Sequence, residues 1–168
     1  MRIPNIAGSS AKRARIVVMD DTDRRILAEL QANARLTLTE LADRVRLSPS
    51  PCHRRLKALE GSGVITGYRA QLDPRAVGFG FEALVFVTMR AADHNTLEQF
   101  EAATIASRNI LQAQRLFGEP DYLLRVAARD LADFQRLYDD SLAHLPGVLK
   151  LTSTLVMKSV VAERPLPL

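Results

Sequence analysis

The chain has 168 residues, 47% hydrophobic and 25% charged, an ordinary globular composition with room for one large domain or two small ones. The net charge of +4 is unevenly placed: residues 1–75 hold 14 Lys and Arg against 8 Asp and Glu, a net of +6, while the rest holds 9 against 11, a net of −2. Cys52 is the only cysteine, which excludes an intrachain disulfide and a Cys-ligated zinc site.

Two small domains would each have a thin core, which favours dimerisation as a further source of burial. A basic half joined to a near-neutral half implies that only the first meets a polyanion. His94 and His144 stand alone, without metal-ligand spacing, and read as surface or packing residues. No metal and no cofactor is expected. No apolar run approaches 18 residues, so no membrane span is expected. The first 19 residues lack the apolar stretch of a secretory signal, and a cytoplasmic location is the expectation.

In chain order, residues 1–19 read as a flexible basic arm carrying Arg2, Lys12, Arg13 and Arg15, with Met19 an equally good natural start. Ile26, Leu27 and Leu30 at helical spacing predict a first helix over 20–34, capped by Thr22 or Asp21. Thr37 with Glu40 forms a capping-box pattern for a second helix through Arg46, with Leu41, Ala42 and Val45 on its buried face. Leu47-Ser48-Pro49 reads as a tight turn. A third helix follows over 50–61, with Pro51 tolerated in its first turn and Gly61 and Gly63 stopping it. Val64 to Leu72 alternates and reads as a strand or wing, and 73–80 reads as a linker around Gly78 and Gly80.

Beyond the linker the pattern is strand (81–90), helix (95–107), strand (110–117), strand (122–128), helix (131–145), strand (148–161). That βαββαβ order predicts a ferredoxin-like antiparallel sheet with helices on one face. The overall class is α+β: a basic arm over 1–19, a winged helix-turn-helix over 20–72, a linker over 73–80 and a ferredoxin-like domain over 81–168. The uncovered sheet face is expected to carry Val85, Val87 and Leu123 or their alternates, and an open apolar face pairs with a second copy.

In the third helix Cys52, Leu56 and Leu59 fall at i, i+4 and i+7 and should face a three-helix core. Cys52 is therefore expected as a buried packing residue rather than a redox thiol. Ser48, Ser50, Pro51, His53, Arg54, Arg55 and Lys57 are left as candidate contacts to double-stranded DNA. Serine and histidine can bond phosphates or bases, arginine can clamp guanine, and lysine neutralises phosphate. A catalytic reading finds no nucleophile–base pair, metal cluster or glycine-rich phosphate loop. Asp139 and Asp140 are adjacent on a helix, and their side chains diverge. No enzyme is expected.

These residues resemble a known family. The runs Asp23-Arg24-Arg25-Ile26-Leu27, Leu47 to Cys52 and Gly63 to Tyr68 carry the likeness, continued by Leu72-Asp73-Pro74, Gly118 to Leu124 and Leu145 to Val148. Together they resemble the leucine-responsive/asparagine-regulator (Lrp/AsnC) family of prokaryotic transcription factors. The resemblance implies a regulator of amino-acid metabolism or transport that forms dimers, assembles commonly as a ring of four dimers, and binds a free amino acid between second domains. Pro120 in the 118–121 turn and His53 in the third helix depart from the family's usual pattern. The turn Gly118, Glu119, Pro120 and Asp121, with Thr152, Ser153 and Thr154 on the last strand, is the candidate effector site. Gly118 permits close backbone approach, Asp121 can accept from an α-ammonium group, and the hydroxyls can meet a carboxylate. The same turn also fits a plain hairpin in which Asp121 bonds its own loop.

Overall fold

The computed structural model describes residues 18–91, 93–162 and 164–168. Most of the basic arm expected over 1–19, through residue 17, lies outside them. The chain divides into two compact units. One comprises the described residues of Met1–Ala70 together with those of Val161–Leu168; the other is Gln71–Val160. No helix among the described residues is long and apolar enough to cross a membrane.

The first unit is built on α1 (Asp21–Ala32), α2 (Leu38–Arg44) and α3 (Pro49–Gly61). The N-cap of α1 is Asp20, one or two residues earlier than expected. Its carboxylate accepts from the Asp23 N–H, and the Asp23 carboxylate accepts from the Asp20 N–H. Asp at the N-cap with an acidic N3 residue satisfies two orphan donors at once, which is why the helix starts there. The Thr37–Glu40 capping box opens α2 as the sequence predicts. That helix ends at Arg44 rather than Arg46, because Arg46 adopts φ 58°, a left-handed conformation that terminates the helix. Ile26, Leu27, Leu41, Ala42, Val45, Cys52 and Leu59 form the core, with Leu30, Leu56, Val64 and Ile65 packed around it.

The segment expected as a strand or wing, Val64 to Leu72, forms no ladder. Val64 and Ile65 are drawn onto the helical core, and the Ile65 N–H bonds the Leu59 carbonyl. Among the described residues no strand pairs with those that follow, and alternation alone cannot supply one. Tyr68 is held by its hydroxyl, which donates to Glu60 at 3.1 Å. Within this unit the Gln31 carboxamide also brackets Leu166, donating to its carbonyl and accepting from its N–H.

The second unit is a four-stranded antiparallel sheet with strand order β2-β3-β1-β4. Its strands are β1 (Phe81–Met89), β2 (Ile110–Arg115), β3 (Tyr122–Ala128) and β4 (Val148–Leu155). Its helices are α4 (His94–Ala106) and α5 (Leu131–Asp140), the latter followed by a 3-10 turn over Leu142–His144. The helix expected to reach residue 145 therefore tightens after Asp140, and the last strand stops at Leu155 rather than 161. The core holds Ala83, Val85, Val87 and Met89 of β1, Leu124 and Val126 of β3, and Leu97, Phe100 and Phe134 of the helices. Val85 and Val87 are thus under the helices, not on the open face. Since side chains alternate with period two, the open face carries Leu84 and Phe86, with Leu123 opposite Phe86. A Glu82–Arg125 ion pair, 2.8 Å, lies on the same face.

Candidate nucleic-acid interface and ligand groove

The start of α3 is unusual chemistry. Ser48 is the N-cap but makes no side-chain cap bond, and Pro49 and Pro51 occupy the first turn. Proline has no N–H to orphan there and sets a helical φ in advance. The hydroxyls of Ser48 and Ser50 consequently stand exposed at the dipole-positive end of the helix. Ser50, His53, Arg54 and Lys57 follow at i, i+3, i+4 and i+7, and all four are exposed. They form one stripe along α3, diametrically placed to the buried Cys52 and Leu59. Pro51 is half-buried at the edge of that stripe. Lys57 meets Glu60 at 2.9 Å, which holds the Glu60 carboxyl below its usual range. Cys52 is fully buried and burial pushes its thiol up, as a packing residue requires.

Arg55 lies elsewhere. It falls three residues after Cys52 and four before Leu59, so helical periodicity turns it toward the core side. Its guanidinium reaches the start of α1, 2.7 Å from Asp20 Oδ2 and 2.8 Å from Asp23 Oδ1. The sequence signal that separates it from Arg54 is the same i, i+3, i+4 arithmetic that buries Cys52.

On the second unit, a depression of about 390 Å³ opens on the uncovered sheet face, lined by Phe86, Thr88, Glu119, Pro120, Lys150 and Thr152. It joins part of the 118–121 turn to the last strand, as the candidate effector site requires, and it holds one acid and one base above an aromatic floor. Lys150, Thr152 and Thr154 share the open face through pairing with Thr88, Phe86 and Leu84. Ser153 pairs with Val85 and points to the helical side. Lys150 is absent from the sequence reading, although the period-two step back from Thr152 could have found it. Gly118 takes φ 123°, a conformation that favours glycine, and the Glu119–Pro120 peptide is cis. Asp121 is half-buried, and its Oδ2 accepts from the Met89 N–H at 2.7 Å. Its carboxylate therefore closes the end of β1 rather than standing wholly open to a ligand.

Comparison with known proteins decides the family. The Lrp/AsnC ligand binding domain matches residues 82–166, and the winged helix-turn-helix DNA-binding family matches residues 19–66. The chain belongs to the Lrp/AsnC family. It is 40% identical to the proline dehydrogenase transcriptional activator of Rhodobacter capsulatus, over 87% of this chain and 95% of that one. It is 35% identical to the leucine-responsive regulatory protein of Escherichia coli K12, over 84% and 87% of the two chains. A transcriptional regulator of Neisseria meningitidis solved as its L-Met complex superposes with a TM-score of 0.84 at 40% identity, covering 89% of this chain and 96% of that one.

As an Lrp/AsnC protein, the chain is a DNA-binding transcriptional regulator with a ligand-binding domain, not an enzyme. The winged helix-turn-helix match spans all of α1, α2 and α3, and the Lrp/AsnC ligand-domain match contains the groove and all of the sheet but Phe81.

Proposed function

We propose that α3 reads double-stranded DNA through the stripe Ser50, His53, Arg54 and Lys57, with Ser48 and the Pro49–Pro51 turn seating the helix start on the phosphate backbone. The stripe itself carries this reading: four exposed polar or basic side chains on the face of α3 opposite its core. A helix entering the major groove needs its early residues free to reach base edges. Arginine then offers a two-pronged donor to guanine, while lysine supplies charge to phosphate. The Lys57–Glu60 pair is exposed and weak enough to open for a phosphate.

The groove on the second unit is proposed to take a free amino acid. Glu119 suits the α-ammonium, Lys150 the α-carboxylate with help from Thr152, and Phe86 and Pro120 favour an apolar side chain. This shifts the ammonium contact from Asp121 to Glu119, because Asp121 already bonds Met89. Gly118 shapes the turn, while Ser153 and Thr154 lie outside the groove lining. The L-Met bound to the Neisseria relative supports an amino-acid ligand, and the names of the Rhodobacter and Escherichia relatives support a role in amino-acid metabolism. The open face around Leu84, Phe86 and Leu123 is proposed as the dimer surface, with dimers assembling further and completing the ligand site.

A thermal-shift screen of the twenty amino acids tests the effector reading. An apolar amino acid should raise the melting temperature of the wild type, and Glu119→Gln and Lys150→Met should each lose most of that shift. No stabilisation by any of the twenty sinks the sensor role. Equal stabilisation of the wild type and both variants moves the site away from the groove.

A further inference from the structure

We infer that Arg55 is a positioning residue for the recognition helix, a cationic bolt that fixes α3 to the start of α1, rather than a contact to DNA. The inference rests on the proposed role of α3 in reading DNA and goes one step inward from it.

The geometry at the start of α1 is symmetric. Asp20 uses Oδ1 to accept from the Asp23 N–H at 2.9 Å and Oδ2 to accept from Arg55 at 2.7 Å. Asp23 uses Oδ2 to accept from the Asp20 N–H at 3.3 Å and Oδ1 to accept from Arg55 at 2.8 Å. Each carboxylate thus gives one oxygen to the helix cap and the other to the same guanidinium nitrogen.

A capping box usually pairs a neutral hydroxyl with a single acid. Here both members are aspartates, so the box brings two negative charges together at one helix end. The helix dipole relieves part of that repulsion. A shared cation relieves more of it, and Arg55 is the cation present. The Arg55 hydrogen bonds contribute to holding the Asp20 carboxyl below its usual range, after the larger effect of the Asp23 N–H.

Burial separates this contact from an ordinary surface ion pair. In the Asp23 arm the side chains of Arg55 and Asp23 are 31% and 16% exposed, against 63% and 29% for Lys57 and Glu60, while the Asp20 carboxylate, 53% exposed, completes the contact from the solvent side. Charge-assisted bonds in a partly dry setting hold geometry better than solvated ones. The bolt joins residues 32 and 35 positions apart in sequence, so it fixes one helix to another rather than stiffening either alone. One residue earlier, Arg54 is exposed on the stripe. Two adjacent arginines therefore divide the work, Arg54 toward the ligand and Arg55 toward the scaffold.

The test uses the full-length protein and two duplexes, one from upstream of its own coding sequence and one a shuffled sequence of the same composition. Affinities are measured at several salt concentrations for the wild type, Lys57→Gln, Arg55→Gln and Arg55→Gln combined with Asp20→Asn and Asp23→Asn. Arg55→Gln should lower the melting temperature and weaken upstream binding by about fivefold to tenfold. Its slope of log affinity against log salt should stay at the wild-type value, because no phosphate contact is lost. Lys57→Gln should instead flatten the slope by about one unit and leave the melting temperature nearly unchanged, because its pair with Glu60 is exposed. In the triple variant the two carboxylates no longer repel, so both melting temperature and upstream affinity should recover in part. A phosphate contact could not be rescued in that way.

The inference is overturned if Arg55→Gln flattens the salt slope as Lys57→Gln does with no change in melting temperature. It is also overturned if Arg55→Gln alters neither affinity nor melting temperature, or if the triple variant recovers nothing. Equal slopes for the wild type and Lys57→Gln, with Arg55→Gln behaving as expected, would count against the stripe and leave the bolt standing.

Discussion

Arg54 and Lys57 lie one turn apart on the same stripe but should fail differently. If Arg54 reads a base, Arg54→Ala should cost about 1–3 kcal/mol at a specific site and little on shuffled DNA. Lys57→Ala should weaken binding to all sequences alike and flatten the salt slope by about one unit. Titration of both variants on both duplexes at two salt concentrations separates the roles, and unchanged affinity for both would remove this face of α3 from the interface. These residues were legible in the sequence because helical spacing sorts them from Cys52, Leu56 and Leu59. For Arg55 the same spacing points to the core side, but its partners Asp20 and Asp23 lie on another helix and spacing along α3 does not name them. Tyr122 offers a test in the second unit. Burial first, and then the bond from its hydroxyl to Glu101 at 2.8 Å, pushes the phenol up from 10.0 to about 12. In the unfolded chain it ionises near 10, so its contribution is intact below that pH and is lost as pH climbs from 10 through 12. The full effect is about 3 kcal/mol. Melting temperatures of Tyr122→Phe and wild type, compared between neutral and strongly alkaline buffer, should therefore converge as pH rises. Parallel curves would show that Tyr122 stays neutral in neither state or in both.

At the scale of elements, the ends and partners of segments depart from the sequence reading more than their types do. The order of helices and strands, the Thr37–Glu40 cap and the span of β3 follow from local pattern. The wing segment does not, because its alternation is read as a strand only when a neighbour exists to pair with. The open face of the sheet was left between two alternatives, since period two says that Val85 and Leu84 point oppositely but not which way the helices lie. Contacts from Leu97, Phe100 and Phe134 settle that choice. The turn between α2 and α3 holds a further case. Leu47 N–H bonds the Ala42 carbonyl at 2.9 Å and Arg46 N–H bonds the Asp43 carbonyl at 3.2 Å. That is the Schellman closure of a helix, with Arg46 at φ 58° in the position where glycine costs least. Arg46→Gly should relieve the left-handed strain and stabilise the first unit by about 0.5–1 kcal/mol. Urea unfolding checks it: a loss of stability of that size would show that the arginine side chain contributes more than its backbone conformation costs.

For the whole molecule, the proposed reading of DNA asks for more than one copy of the chain. One winged helix-turn-helix unit presents one recognition helix, which reads about half of a one-turn site. Two units spaced roughly 34–36 Å apart would read a near-palindromic site, or sites at multiples of that spacing. The sheet face with Leu84, Phe86 and Leu123 supplies an apolar surface for pairing. Each half of the chain has a core of its own, but each core is thin, and burial between copies would offset that. The groove lined by Glu119 and Lys150 lies on the same uncovered face, so a ligand there would sit where copies meet and could shift assembly and DNA binding together. The expected mass in solution is therefore at least twice the 18.6 kDa of one chain. Replacing Leu84 and Leu123 by aspartate places like charges across the proposed seam, which should shift the protein toward monomer and weaken binding to a two-half-site duplex far more than to a single half-site. Light scattering at micromolar concentration decides the matter. A wild-type mass of one chain would remove the dimer from the account, and an unchanged oligomer in the double variant would move the interface to another face.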